Sequence, residues 1–200
     1  MSHPPHVPPP PDASHVLVAA PPLQSARYEP CRSLLTARGA ATDVLSVAYR
    51  RPAPEQFADL EPAPDAEQPQ VSVVEVGPSS APLEGCRDDI PVETAVTSVP
   101  ATDSLTELGM TVEGRLQDFA DDSGPTALCF DSLTSLSLYA GPSQADRFLG
   151  WLCSRLDAVG GHAHYHADPA AHDTPPRERF GEHVDDVIEV GADGTVETTY

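Results

Sequence analysis

Four short apolar runs recur along the chain, separated by segments of helical character, and this alternation restricts the fold more than any other feature. His15–Ala20 (HVLVAA), Asp43–Tyr49 (DVLSVAY), Val71–Gly77 (VSVVEVG) and Thr126–Phe130 (TALCF) carry apolar side chains at odd and even positions alike. A strand of that kind has both faces covered, as in a parallel sheet flanked by helices. His162–Ala167 (HAHYHA) reads as a fifth strand, and Val92–Val99 as a further one. Between them lie helical patterns. In Ser25–Arg38 a helix starts near Glu29 with Pro30 in its first turn, places Cys31, Leu34 and Leu35 on one face, and stops at Gly39. Pro52–Gln70 is a Pro-rich connection with one turn of helix at Glu55–Leu60, and Gly77–Pro91 is a loop. Asp103 to Ala120 repeats Leu105, Leu108, Val112, Leu116 and Phe119, with Thr102 or Asp103 as cap. Ser143–Val159 repeats Phe148, Leu149, Leu152, Leu156 and Val159 and ends at Gly160-Gly161. Pro176–Val184 is a last helix, and Val187–Val190 and Thr195–Thr199 flank an Asp193-Gly194 hairpin turn. The expected fold is a three-layer α/β domain over 15–200, its central sheet mostly parallel with a C-terminal antiparallel hairpin. Met1–Ser14 (MSHPPHVPPPPDAS) is a disordered or polyproline II tail, because proline fixes φ and removes the amide donor. Its His3 and His6 read as solvated tail residues.

Charge excludes several partners. The 200 residues carry 31 acidic and 11 basic side chains, a formal charge of −20, and every basic residue is Arg. Such a surface does not neutralise nucleic-acid phosphates or an anionic membrane. The acidity is spread along the chain, and isoleucine occurs only at Ile90 and Ile188. We read this as the signature of a halophilic cytoplasm, where molar salt shortens the Debye length to about 3 Å and screens the self-repulsion. No run reaches the roughly 20 apolar residues of a membrane helix, and the N-terminus has no secretory pattern. The expected location is cytoplasmic. Cys31, Cys86, Cys129 and Cys153 show no CxxC spacing, so a zinc site or disulfide framework is not expected from them.

The first strand runs into Pro21–Arg27 (PPLQSAR), the place where a nucleotide-binding α/β protein carries GxxxxGK[ST]. Both glycines and the lysine are missing, and Pro21 and Pro22 each remove an amide donor. Arg27 supplies charge without the compact ammonium of lysine. Asp131, followed by Ser132, ends an apolar strand where a magnesium-side carboxylate belongs. The bland alternative is a proline-rigid turn above a sheet.

Three of these segments resemble a known family. HVLVAAPPLQSAR (15–27), PTALCFDSLTSLSLY (125–139) and GHAHYHADPAAHD (161–173) resemble the first strand, the magnesium-strand segment and the following strand of RecA-type proteins of the KaiC/GvpD group, especially haloarchaeal members. SVPATDSLTELGM (Ser98–Met110) is similar to a segment those members carry before a long helix. The resemblance covers most of Ser14–Val190. It implies a RecA-like P-loop fold, ATP with magnesium as the ancestral ligand, and protein partners or self-association in regulation or assembly. It places a vestigial nucleotide site at Pro22, Gln24, Ser25, Arg27, Asp131 and Ser132. It also marks a loss: Arg50-Arg51 stands where KaiC-like members carry the acidic pair that activates water. Arginine stays protonated and cannot act as that base. The expected function is therefore a pseudo-NTPase acting as a regulatory or interaction module, without catalytic residues. The alternative is a weak ATP sensor or ATPase using Asp131.

A second candidate is a histidine cluster. His162, His164 and His166 alternate along one strand and share one face, with Asp168, His172 and Asp173 close behind. His162, His164, His166 and His172 form a candidate metal set for zinc, nickel or copper. Against this, same-face neighbours on one strand stand roughly 7 Å apart, too far for chelation unless His172 or Asp173 folds back. The alternative is a polar strand end whose histidines cap neighbouring loops. A hydrolytic triad built from Ser132, Cys129 and a histidine lacks the GxSxG elbow.

Overall fold

The structure, a computed structural model, describes residues 13–21, 29–35, 42–49, 51–60, 70–77, 94–102, 104–120, 124–191 and 195–199. The Met1–Ser14 tail up to residue 12, the Pro22–Arg27 stretch, Arg50, Cys86 and the Asp193-Gly194 turn lie outside the described residues.

In chain order the elements are β1 (His15–Ala19), α1 (Glu29–Leu35), β2 (Asp43–Tyr49), α2 (Ala53–Leu60), β3 (Val71–Gly77), β4 (Ala95–Pro100), α3 (Thr106–Ala120), β5 (Thr126–Asp131), α4 (Leu133–Ala140), α5 (Pro142–Ala158), β6 (His162–Ala167), α6 (Pro176–Phe180), β7 (Asp186–Val190) and β8 (Val196–Thr199). Among the described residues the strands form one eight-stranded sheet in the order β4-β3-β2-β5-β6-β1-β7-β8. Every pairing is parallel except β7 with β8. The expectation of a mostly parallel α/β sheet with a terminal antiparallel hairpin is met.

Strand alternation sorts the core onto two faces. One face presents Leu17, Leu45, Val47, Leu128, Phe130 and Tyr165 to α3, α4 and α5, which return Leu108, Val112, Leu116, Phe119, Leu133, Leu136, Leu149 and Leu152. This is the larger core. The opposite face carries two smaller clusters. One joins Leu35 of α1 and Ala53 of α2 to Val44, Val71, Val73, Ala127 and Cys129. The other joins Leu34 of α1 to Val16, Val18, Ile188 and Val190. Burial of each large aliphatic or aromatic side chain contributes about 1.5–3 kcal/mol.

Three helices depart from the sequence reading. The helix expected from Asp103 begins at Thr106, because the Thr102 hydroxyl turns back onto Ser104 and the first helical bond runs from Gly109 N to Leu105 O. Residues 133–140, which show no clear helical periodicity, form α4. Its N-cap is Ser132, whose Oγ accepts from Ser135 N at 3.2 Å. Gly141, at φ +84°, closes α4 and opens α5, a conformation that only glycine adopts without strain. The helix expected over Pro176–Val184 stops at Phe180.

Candidate functional site

Ligands of open parallel sheets bind outside the carboxyl ends of strands where successive connections leave to opposite faces. Here β1 leads to α1 and β2 to α2 on the thin face, while β5 leads to α4 and β6 to α6, whose Phe180 packs in the larger core. The neighbours β1 and β6, and the neighbours β2 and β5, therefore frame a crevice at their carboxyl ends. Asp131 ends β5 at that rim and is 8% exposed. The peptide joining it to Ser132 is cis. The Ser132 hydroxyl is occupied in capping α4. Across the crevice Arg51 donates from Nη2 to Glu55 O at 2.8 Å and pairs with the Glu55 carboxylate at 3.8 Å. Of the six expected nucleotide-site residues, Asp131 and Ser132 are thus placed at the rim, and Pro22, Gln24, Ser25 and Arg27 lie outside the described residues.

The predicted histidines separate into different roles. In a parallel pair, register partners point to the same side of the sheet. Cys129 pairs with His164, Asp131 with His166 and Ala127 with His162, and β6 lies between β5 and β1. The β6 histidines therefore form a polar file in the thin layer, between the two small apolar clusters. His162 Nε2 donates to Leu34 O at 3.0 Å and Leu35 O at 3.2 Å, closing the end of α1. His164 and His166 instead meet Cys31 from α1 and Cys129 from β5. One ligand atom from each of these four side chains lies within 4.8 Å of every other. All four residues are buried. Cys31 Sγ and His166 Nε2 are 3.2 Å apart, and the two imidazoles meet edge to face at 5.2 Å. The Cys31 thiol, hydrogen-bonded to Cys129, holds the Cys129 thiol well below its ordinary value; His164 and His166 add to this, and burial opposes it. His172 lies apart, with Nε2 2.8 Å from the Thr134 hydroxyl, which also accepts from Asp168 N.

The sequence reading thus had two of the four clustered side chains and missed Cys31 and Cys129. No local spacing joins residues 31, 129 and 164; the β5–β6 register and the seat of α1 bring them together. The imagined Ser132–Cys129–histidine triad does not assemble, because Ser132 faces Ser135.

A second polar group sits under the larger core. His15 Nε2 is 3.1 Å from Asp157 Oδ1 and its Nδ1 is 3.0 Å from the Tyr165 hydroxyl, which meets Cys153 Sγ at 3.3 Å. Asp185 accepts from the amides of Ser14 and His15. This network pins the entry of β1. Glu75, 1% exposed on β3, does the same for α2: its carboxylate accepts from Ala53 N at 2.7 Å and from the Ser98 hydroxyl at 3.0 Å.

The chain matches, over residues 13–190, the model of a family of unknown function, DUF7504, and belongs to that family. No curated protein matches it in sequence. Among solved structures it is similar to a protein of Pyrococcus horikoshii OT3 known from a structural study, at 13% identity and a TM-score of 0.54 over 92% of this chain and 85% of that one. A likeness at that identity concerns the fold alone. Among the described residues no helix is long and apolar enough to cross a membrane.

Proposed function

We propose that this member of DUF7504 is a RecA-like domain of the KaiC/GvpD type that does not turn over nucleotide, a pseudo-NTPase serving as a regulatory or protein-interaction module in a halophilic cytoplasm. The observation that carries the reading is the chemistry of the segment leaving β1. That strand sits inside the sheet and ends at the crevice, yet residues 21–27 offer two prolines, no glycine and no lysine. Converging amide donors and a compact ammonium are what grip a triphosphate. The chain has no lysine anywhere to substitute. After β2, Arg51 is engaged with Glu55 and supplies no base for activating water. The charge of −20 disfavours nucleic acid or an anionic membrane as a partner, and the resemblance points to a protein partner or self-association.

Asp131, at the rim, supports a second reading: a weak ATP sensor or ATPase with Asp131 on the magnesium side. Thermal unfolding in molar salt, with and without millimolar ATP and magnesium, separates the two. Ligand at ~100 Kd stabilises the native state by about 2.7 kcal/mol, which raises Tm by roughly 5–11 °C in a domain of this size. We expect no shift. A rise of that order, abolished by Asp131→Ala, defeats the non-catalytic reading and establishes the second.

A further inference from the structure

The thin layer of the domain buries two thiols and two imidazoles where its neighbours are valine, leucine and alanine. Cys31, His164 and His166 are each 1% exposed and Cys129 6%. The clusters on either side are built from Val44, Val73 and Ala127 on one flank and Val16, Val18 and Ile188 on the other. A polar group in such a place costs about 1–3 kcal/mol unless it is partnered. His164 Nε2 is fully buried and meets no hydrogen-bond partner. A core selected only for packing would fill this position with an aliphatic side chain.

The geometry points to a different partner. We propose that Cys31, Cys129, His164 and His166 bind one Zn²⁺ in a closed tetrahedral site that fastens α1 to the β5–β6 floor. Zinc holds thiolate sulfur at about 2.3 Å and imidazole nitrogen at about 2.0–2.1 Å, so the ligand atoms of a tetrahedron stand roughly 3.3–3.8 Å apart. The four atoms here already lie within 4.8 Å of one another, and the Cys31–His166 pair at 3.2 Å. The separations thus exceed a tetrahedral edge by no more than about 1 Å. The same-strand spacing no longer stands in the way, because β6 supplies only two ligands and the others come from β5 and α1. Two sulfurs with two nitrogens is a donor set that suits zinc, whereas harder cations prefer oxygen. Two thiolates also cancel the charge of the dication. The complex is then neutral, and its burial between two apolar clusters carries no net ionic penalty. Four protein ligands leave no open position, which marks a structural site and not a hydrolytic one. Its placement explains what such a site would hold. Helix α1 has seven residues, too few to persist by its own hydrogen bonds. Cys31 in its first turn and the His162 bonds at its last carbonyls hold both ends to β6.

The test uses the full chain expressed in a halophilic host and purified in molar salt without chelator. Metal analysis of the isolated protein should give about one zinc per chain, and Cys129→Ser or His164→Ala less than about a tenth of that. His172→Ala, altering the fourth ligand suggested by sequence, should keep full zinc. Because the ligand variants can misfold, a second measurement needs only the wild type. Zinc is removed with a chelator under reducing conditions and cobalt(II) is added. A tetrahedral thiolate–imidazole site gives strong visible d–d absorption and a near-ultraviolet sulfur-to-cobalt band, displaced by one equivalent of zinc. Natively folded wild type that neither contains zinc nor develops those bands overturns the proposal. A stoichiometric ion other than zinc, or loss of metal in His172→Ala, overturns the assignment equally.

Discussion

Removing one oxygen atom, with Tyr165→Phe, tests whether the network beneath β1 is a stabilising device or a packing accident. Tyr165 is fully buried on β6, and burial together with Cys153 pushes its phenol well above the ordinary value, so the hydroxyl keeps its proton. The tautomer of His15 follows from its partners. In the neutral imidazole, with Asp157 Oδ1 as an acceptor, Nε2 carries the proton and Nδ1 accepts from the Tyr165 hydroxyl, 3.0 Å away. Phenylalanine fills the same volume but leaves Nδ1 an acceptor without a donor in the core. Cys153 keeps an alternative acceptor, His183 O at 3.4 Å, so the loss concentrates on His15. An orphaned buried acceptor costs about 1–3 kcal/mol, which lowers Tm by roughly 2–12 °C. Equilibrium unfolding in molar salt measures it. A double-mutant cycle with His15→Leu then isolates the coupling, because once the acceptor is gone the hydroxyl should contribute less than about 0.5 kcal/mol. Strictly additive single and double variants, or a Tyr165→Phe loss below about 0.5 kcal/mol, refute the assignment of that bond.

Two further outcomes follow from perturbed groups. Burial, with the charges of Asp157 and Asp185 adding to it, pushes the Cys153 thiol up to about 11. In native protein at pH 8 it should resist alkylation, as mass mapping would reveal, and react once the chain is unfolded; modification at the rate of a free thiol contradicts the burial. Burial, then Arg179, holds the His172 imidazole below its ordinary value of 6.5, against the pull of Asp168. The unfolded chain therefore binds the extra proton first: the stability due to this group is complete above pH 6.5 and declines as pH falls through 6.5 toward the depressed native value. Denaturation midpoints of wild type and His172→Gln should converge over that interval, and parallel curves would exclude the effect.

The sheet was legible in sequence where strands are apolar on both faces: β1, β2, β3 and β5 are each a run that no surface strand would carry. Helix α5 was legible because seventeen residues keep one buried stripe. Helix α4 was not. LTSLSLYA spans barely two turns, its serines blur the polar side, and the cap that starts it, Ser132, also reads as the end of a strand. The cysteine–histidine quartet was half legible. Alternation alone put His164 and His166 on one face, whereas Cys129 joins them through the β5–β6 register and Cys31 through the seat of α1. Contacts between residues so far apart in the chain depend on strand order, which local patterning does not encode.

Of the described strands, β1 waits longest for its neighbours during synthesis. β1 pairs only with β6 and β7, so residues 15–19 have no lateral partner until 162–190 have been made. At about 5–20 residues per second, the ribosome needs roughly 7–30 s to bring them out. Throughout that interval a nascent polypeptide displays HVLVA uncovered, and only a chaperone or transient collapse can shield it. A premature stop before residue 162 would leave that ribbon permanently naked, so such fragments should be aggregation-prone however well their remaining segments fold.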